Sequence, residues 1–64
     1  MKIFIEKTGK HLVLDGRQRA KDILESLGIN PESIILVNNN EIILDDETIG
    51  DDDELQILSV ISGG

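Results

Sequence analysis

Alternation of apolar and polar residues opens the chain. Residues 1–7 (MKIFIEK) place Ile3 and Ile5 on one face, a pattern typical of a strand with one buried side. Residues 11–15 (HLVLD) predict a second strand, and the intervening TGK at 8–10 predicts a turn. The two segments therefore predict a β-hairpin.

The spacing changes to that of a helix over residues 18–27. Four apolar residues recur there at i, i+3, i+4 and i+7, namely Ala20, Ile23, Leu24 and Leu27. Gly28 follows where a left-handed C-cap is needed, and Pro31 stops any continuation. This segment predicts one amphipathic helix.

The second half of the chain is again strand-like. Three apolar segments predict strands, at 34–37 (IILV), 41–44 (EIIL) and 55–61 (LQILSVI). The three asparagines at 38–40 predict a turn between the first two of them. Residues 45–54 form a polar connection with one short turn expected around Ile49.

The element order is ββαββ, followed by a loop and a final strand. One helix can cover one face of a single mixed sheet of four to five strands, which is an α+β fold. The density of apolar residues in 55–61 predicts that this last strand is central, next to the first hairpin, as in a β-grasp domain. Residues 1–61 are expected to form this domain and 62–64 a flexible tail.

The composition excludes several classes of chemistry. The chain has 64 residues, no Cys and one His, so disulfides, zinc sites, iron–sulfur clusters and thiol nucleophiles are not expected. A net charge of −7 and a single aromatic residue argue against nucleic-acid binding. No apolar run spans a membrane and no signal peptide opens the chain, so a cytoplasmic protein is expected.

Catalysis by this chain alone is not expected. His11 lies in a predicted strand without the Ser, Cys or Asp partner of a catalytic motif, so it is interpreted as a sheet-face residue. A calcium loop counted from Asp45 fails, because Ile49 and Gln56 occupy positions five and twelve, which require oxygen ligands. No metal site is predicted.

Charge is segregated along the chain. All six basic residues lie within positions 1–21, whereas positions 22–64 hold eleven acidic residues and no basic ones. Seven of these acids lie between Asp45 and Glu54. An acidic surface suits a basic partner, which makes three consecutive aspartates just before the last strand candidates for partner docking: Asp51, Asp52 and Asp53.

The terminal Gly63-Gly64 pair directly follows the last predicted strand. Without Cβ atoms, two glycines can pass through a channel too narrow for any side chain. They would present a bare α-carboxylate to the active site of another protein. Such a carboxylate is inert until it is activated, for example as an acyl-adenylate.

Several segments resemble ubiquitin-like proteins. The opening MKIFIEKTGK resembles the first hairpin of ubiquitin, and the ending DDDELQILSVISGG resembles the ending of ThiS. The segments DILESL and ILVNNNEIIL fit the same pattern between them. The chain thus resembles the ubiquitin-like β-grasp sulfur carriers of the ThiS/MoaD group.

The resemblance implies a protein co-substrate rather than an enzyme. A partner adenylyltransferase of the ubiquitin-activating type would use ATP and Mg²⁺ to adenylate the Gly64 carboxylate. Sulfur from a persulfide donor would then displace AMP, leaving a thiocarboxylate that supplies sulfur to thiamin thiazole, molybdopterin or tRNA through an acceptor enzyme. The chain itself would bind no cofactor. In some relatives the same terminus is joined to lysines of target proteins.

Three functions from different classes stay open: a sulfur carrier, a protein modifier conjugated through Gly64, and a plain interaction domain. Ser62 stands where chains of the MoaD type often carry proline, which favours a ThiS-like or archaeal modifier-like protein.

The alternation of side chains between the two faces of the predicted strands also predicts a docking surface. Eight residues are expected to face the helix: Ile3, Ile5, Leu12, Leu14, Ile35, Val37, Leu55 and Ile57. Four residues of opposite parity are then expected to form an apolar patch on the open face of the sheet: Phe4, Leu36, Leu58 and Val60.

Overall fold

The predicted N-terminal hairpin is present in the computed structural model, which describes residues 1–60. Strand β1 spans Lys2–Ile5 and strand β2 spans Lys10–Val13, paired antiparallel with Ile3 opposite Leu12. β1 ends two residues earlier than predicted, because residues 6–9 form the turn. β2 begins one residue earlier than predicted and ends at Val13 instead of Asp15.

The helix begins two residues later than predicted. Gln18–Arg19 form a short strand, β3, and helix α1 spans Ala20–Leu27. The predicted cap is confirmed, since Gly28 has φ +70° and its N–H bonds the carbonyls of the last turn. Beyond it, Pro31–Ser33 form a single 3-10 turn capped by the side chain of Asn30.

Four strands follow in the second half of the described chain: β4 at Ile34–Asn38, β5 at Glu41–Ile43, β6 at Thr48–Ile49 and β7 at Glu54–Ser59. Asn39 and Asn40 make the predicted turn with φ angles of +50° and +68°. Asparagine tolerates this left-handed region better than other residues with a side chain.

The main sheet has five strands in the order β2-β1-β7-β4-β5. The last strand is central, as predicted, because β7 runs parallel to β1 and antiparallel to β4. One mixed sheet with one α-helix across it confirms the α+β, β-grasp prediction.

A second, two-stranded sheet pairs β3 with β6 and was not predicted. The predicted short turn around Ile49 is wrong, because Ile49 lies in β6 opposite Gln18 and is fully buried. This single aliphatic residue fixes the otherwise polar connection 45–54 to the core.

The core lies between α1 and the sheet. Its buried members in the described chain are Met1, Ile3, Ala20, Ile23, Leu24, Leu36, Ile49, Leu55 and Ile57. Ile3, Leu55 and Ile57 confirm the predicted inward parity of β1 and β7.

The predicted parity of β4 is wrong. Leu36 was expected on the open face, but it is only 3% exposed and lies opposite the buried Ile57 in the ladder. Residues directly opposite in a sheet share a face, so Leu36 faces the helix while Ile35 and Val37 take the open face. The run IILV is apolar on both parities, so the pattern does not determine which residues point inward.

Candidate functional site

The central strand leads directly to the chain terminus. At its end the N–H of Ser59 donates to Glu6 Oε1 at 3.2 Å, and the N–H of Val60 donates to the carbonyl of Ser33 at 3.1 Å. The strand is therefore fixed on both sides up to Val60. The predicted site residues Gly63 and Gly64 lie outside the described residues.

Local sequence explains why the strand ends in this position. Leu55 and Ile57 bury the inner face of β7 at 1% and 2% exposure. Because β7 pairs parallel to β1, the C-terminal ends of both strands lie at the same end of the sheet, which we call an edge of the sheet. The turn at 6–9 follows β1 directly, so it lies beside the end of β7.

Apolar residues occupy the open face of the sheet near this edge. Phe4 and Leu58 are half-buried there, and Val60 is 48% exposed. Of the four predicted patch residues, Leu36 alone is excluded by its burial. The residues that the sequence interpretation missed on this face are Ile35, Val37 and Ile42. We call the six the open-face patch: Phe4, Ile35, Val37, Ile42, Leu58 and Val60.

His11 packs beside this patch. Its ring lies 4.7 Å from that of Phe4, measured between centroids and tilted by 39°. The two residues are directly opposite in the β1–β2 ladder, so His11 is a sheet-face residue as interpreted from the sequence. Lys2, Glu54 and Gln56 join them around a shallow hollow of about 560 Å³.

The acidic loop is built around Asp53. Its carboxylate accepts hydrogen bonds from the N–H of Gly50 at 2.8 Å and from the side-chain amides of Asn39 and Asn38 at 3.0 and 3.1 Å. Asn39 also accepts from the N–H of Glu54 at 3.1 Å. We call this arrangement the Asp53 clasp, and it joins the β4–β5 turn to the loop before β7.

The clasp changes the acidity of Asp53. Hydrogen bonds from the Gly50 N–H first, and then from the Asn39 and Asn38 amides, stabilise the charged carboxylate and lower the pKa of Asp53. Asp53 therefore has a structural role that was not predicted. Asparagine triplets and an aspartate after Gly50 are typical of turns, but the sequence does not indicate which of three aspartates makes the contacts.

The other two predicted docking acids differ from each other. Asp51 Oδ1 accepts from the N–H of Gly16 at 2.9 Å and lies 3.9 Å from the amino group of Met1. Asp52 is exposed. The proposed docking role of these acids stays a prediction, and Asp52 is the member best placed to meet a partner.

The acids and the end of β7 lie at opposite ends of the sheet. Residues 51–53 directly precede β7, and this six-residue strand is about 17 Å long between its first and last Cα atoms. The acidic surface adjoins the central strand, as expected, but at its start. Lys7 lies in the turn at 6–9 and Lys10 directly follows it, at the end of the sheet where β7 ends.

Residues 1–60 offer no ligand set for a metal ion and no helix that could cross a membrane. No group of three or more His, Cys, Asp or Glu side chains in this part of the chain is arranged to hold a metal ion. None of its helices has the length and apolar character needed to cross a bilayer.

Comparison with known proteins gives one family and several relatives. The sequence matches the family model described as the ThiS family over residues 2–64. It is 34% identical over 55 residues to the sulfur carrier protein TtuB of Thermus thermophilus. This match covers 86% of this chain and 85% of TtuB. An uncharacterized protein of Archaeoglobus fulgidus is 45% identical over 47 residues, covering 73% of this chain and 69% of the relative.

A solved structure shares the fold. The crystal structure of the thiamine biosynthesis protein ThiS from Geobacter metallireducens superposes with a TM-score of 0.68 and covers all of both chains at 24% identity.

Proposed function

Because this chain belongs to the ThiS family, we propose that it is a sulfur carrier whose working group is the C-terminal carboxylate of Gly64. The observation that carries the proposal is the position of β7, a central strand fixed on both sides that ends four residues before a terminal diglycine. The 34% identity to a protein named as a sulfur carrier supports it.

A carboxylate must be activated before sulfur can replace oxygen. An adenylyltransferase of the ubiquitin-activating type would bind ATP and Mg²⁺, and a Gly64 carboxylate oxygen would attack the α-phosphate with release of pyrophosphate. A persulfide sulfur would then attack the acyl carbon as AMP leaves. A second thiol would cleave the resulting acyl disulfide, leaving the Gly64 thiocarboxylate and a disulfide on the donor.

The chain supplies presentation rather than catalysis in this sequence. Its four residues beyond Val60 can extend by at most about 14 Å from the end of the fold. Glycine at the last two positions lets the acyl carbon approach the nucleotide without a side chain in between. The rigid sheet limits the volume through which the terminus can move, which reduces the entropy lost on docking.

We further propose that the open-face patch binds the activating enzyme. Ile35 and Val60 are 39% and 48% exposed, and Ile42 is more exposed still. Ile35 lies directly opposite Leu58, and Ile42 lies directly opposite Val37. These apolar residues share the open face with Phe4 and extend from β1 to β5. Surfaces of this kind usually mark partner sites.

The experiment that tests the proposal is ATP–pyrophosphate exchange with a ubiquitin-activating-type adenylyltransferase from the same organism. Full-length protein is expected to support exchange, and deletion of Gly64 is expected to abolish it. Far-UV circular dichroism of the deletion variant should match that of the full chain, because the core lies within residues 1–57.

Two outcomes would contradict the proposal. Exchange that persists without Gly64 would show that another carboxyl group is activated. Gly-Gly remnants on lysines of other proteins, with no thiocarboxylate, would identify the chain as a protein modifier conjugated through Gly64.

A further inference from the structure

A groove of about 750 Å³ opens at the edge of the sheet where β7 ends. It lies between the β1–β2 hairpin, the end of α1 and the start of β4. We call it the exit groove. Five half-buried aliphatic residues that pack against the core line its floor: Ile5, Leu12, Leu27, Ile29 and Ile34.

The groove lies where the helix ends. Between their first and last Cα atoms α1 is about 10 Å long and β7 about 17 Å long. Leu27, Gly28 and Ile29 at the end of the helix line the groove together with Ile57 from the inner face of β7. Apolar surface of the core is therefore accessible at this edge.

The charge of the groove is opposite to that of the chain. Lys7 and Lys10 belong to its lining, and no Asp or Glu does. The whole chain has 13 acidic residues against 6 basic ones. The nearby Glu6 carboxylate accepts a hydrogen bond from the N–H of Ser59 in the groove wall at 3.2 Å. Two lysines beside an apolar floor are complementary to an apolar side chain on an acidic segment.

The groove also adjoins the end of β7. Ser59, the last residue of β7, and Ser33, whose carbonyl accepts from the Val60 N–H, both belong to its wall. The four residues beyond Val60 reach at most about 14 Å, so an enzyme that receives Gly64 must bind within that distance of this end of the sheet. Contact with the exit groove would fix how the terminus enters the active site.

We propose that the exit groove binds an acidic segment of the activating enzyme, with an apolar side chain inserted between Lys7 and Lys10. This inference rests on the proposed function and names a second contact with the same partner. The sequence predicted that acids beside the last strand meet a basic partner. The groove instead presents two lysines at the end of β7, whereas the acids lie at its start.

Charge-reversal variants of the full chain test this. K7E/K10E should raise the KM for the carrier in ATP–pyrophosphate exchange about tenfold, the effect of turning two exposed charge pairs from attraction to repulsion. The kcat should stay unchanged, because neither lysine touches the reacting carboxylate. K7R/K10R should keep the wild-type KM to within about threefold, since it keeps the charge.

A matched control has the same change in net charge. R17E/K21E alters two exposed cations at the other end of α1, away from the groove lining. It should change the KM less than about twofold. All variants replace exposed side chains, and circular dichroism verifies their fold.

Three results would overturn the inference. Equal KM values for K7E/K10E and R17E/K21E, with normal exchange by the wild-type chain, would refute the role of the groove and leave the proposed function intact. Absence of exchange with the wild-type chain would refute both the groove and the proposed function. In NMR spectra of the free protein, cross-peaks between Ile61 and the Leu27 or Ile29 methyl groups would show that the chain's own terminus fills the groove.

Discussion

Asp53 joins two turns that the chain separates by more than ten residues. Its two carboxylate oxygens accept three hydrogen bonds, one from Gly50 and one each from Asn38 and Asn39. The loop before the central strand is thereby attached to the β4–β5 turn. Asp52, its neighbour, is exposed and gives a control of the same residue type.

Replacing Asp53 by Asn should lower the midpoint of thermal unfolding. The substituted side chain would present an NH₂ group where a second oxygen accepts, and it would face the amide donors of Asn38 or Asn39. D52N should leave the midpoint close to that of the wild type. Equal midpoints for D53N and D52N, measured by circular dichroism, would show that the clasp contributes nothing.

The same bonds predict a pH dependence of stability. Because the pKa of Asp53 is lower in the folded protein than in the unfolded chain, its contribution is present above the unfolded pKa, near pH 4, and is lost as pH falls through the folded pKa. The difference in unfolding free energy between wild type and D53N should therefore shrink as pH falls below about 4. Urea unfolding between pH 2 and pH 7 measures it, and a constant difference would contradict the lowered pKa.

At the scale of elements, the central question is which face each strand buries. β1 and β7 alternate in sequence, and the structure buries Ile3, Leu55 and Ile57 as predicted, with Ile5 half-buried against the core. β4 has no alternation, and its register with β7 decides instead, with Leu36 opposite Ile57 and Ile35 opposite Leu58.

A matched pair of truncations tests the parity of β4. Leu36→Ala should destabilise the fold by about 2–5 kcal/mol, because it leaves a cavity in the core. Ile35→Ala removes the same number of carbon atoms from a partly exposed side chain and should cost less than about 1 kcal/mol. Urea unfolding gives both values, and a larger cost at Ile35 would restore the originally predicted parity.

The open-face patch predicts a separate effect on docking. Leu58→Asp should raise the KM for the carrier in ATP–pyrophosphate exchange without unfolding the chain, since Leu58 lies on the face away from the helix. Val13→Asp is the control, because Val13 is exposed on the edge strand β2, outside the patch. Loss of the folded state in Leu58→Asp, or an equal KM for both variants, would contradict the proposed surface.

Most elements were predictable from periodicity, and the exceptions have a physical reason. The hairpin, the helix and the central position of the last strand follow from patterns that persist over several residues. The β3–β6 pair has two residues on each side, which is too short for any periodic signal. Ile49 was recognised as an isolated apolar residue, but its partner in the fold lies about thirty positions earlier.

At the scale of the whole molecule, the sequence showed that charge is segregated but not where each part lies. The acidic run was expected beside the strand that leads to the terminus. Antiparallel and parallel pairings place that run at the start of β7 and place Lys7 and Lys10 at its end. Such relations depend on topology, which local patterns do not encode, and the exit groove was not predicted for the same reason.

The chemistry proposed for this chain lies in two residues that have no side chain, Gly63 and Gly64. One His, no Cys and one aromatic residue leave few catalytic groups in the chain. The proposed function needs none of them, because it assigns the sulfur to the α-carboxylate of Gly64 and the catalysis to a partner enzyme. The described fold contributes a central strand and two candidate docking surfaces.

The most direct test of the central claim is intact-mass analysis of the protein purified under non-reducing conditions from its own organism. The account predicts a population whose mass is increased by the replacement of one oxygen by sulfur, with fragmentation locating the change at Gly64. A chain that carries only an ordinary carboxylate under conditions of active sulfur transfer, in cells that retain the adenylyltransferase, would contradict it.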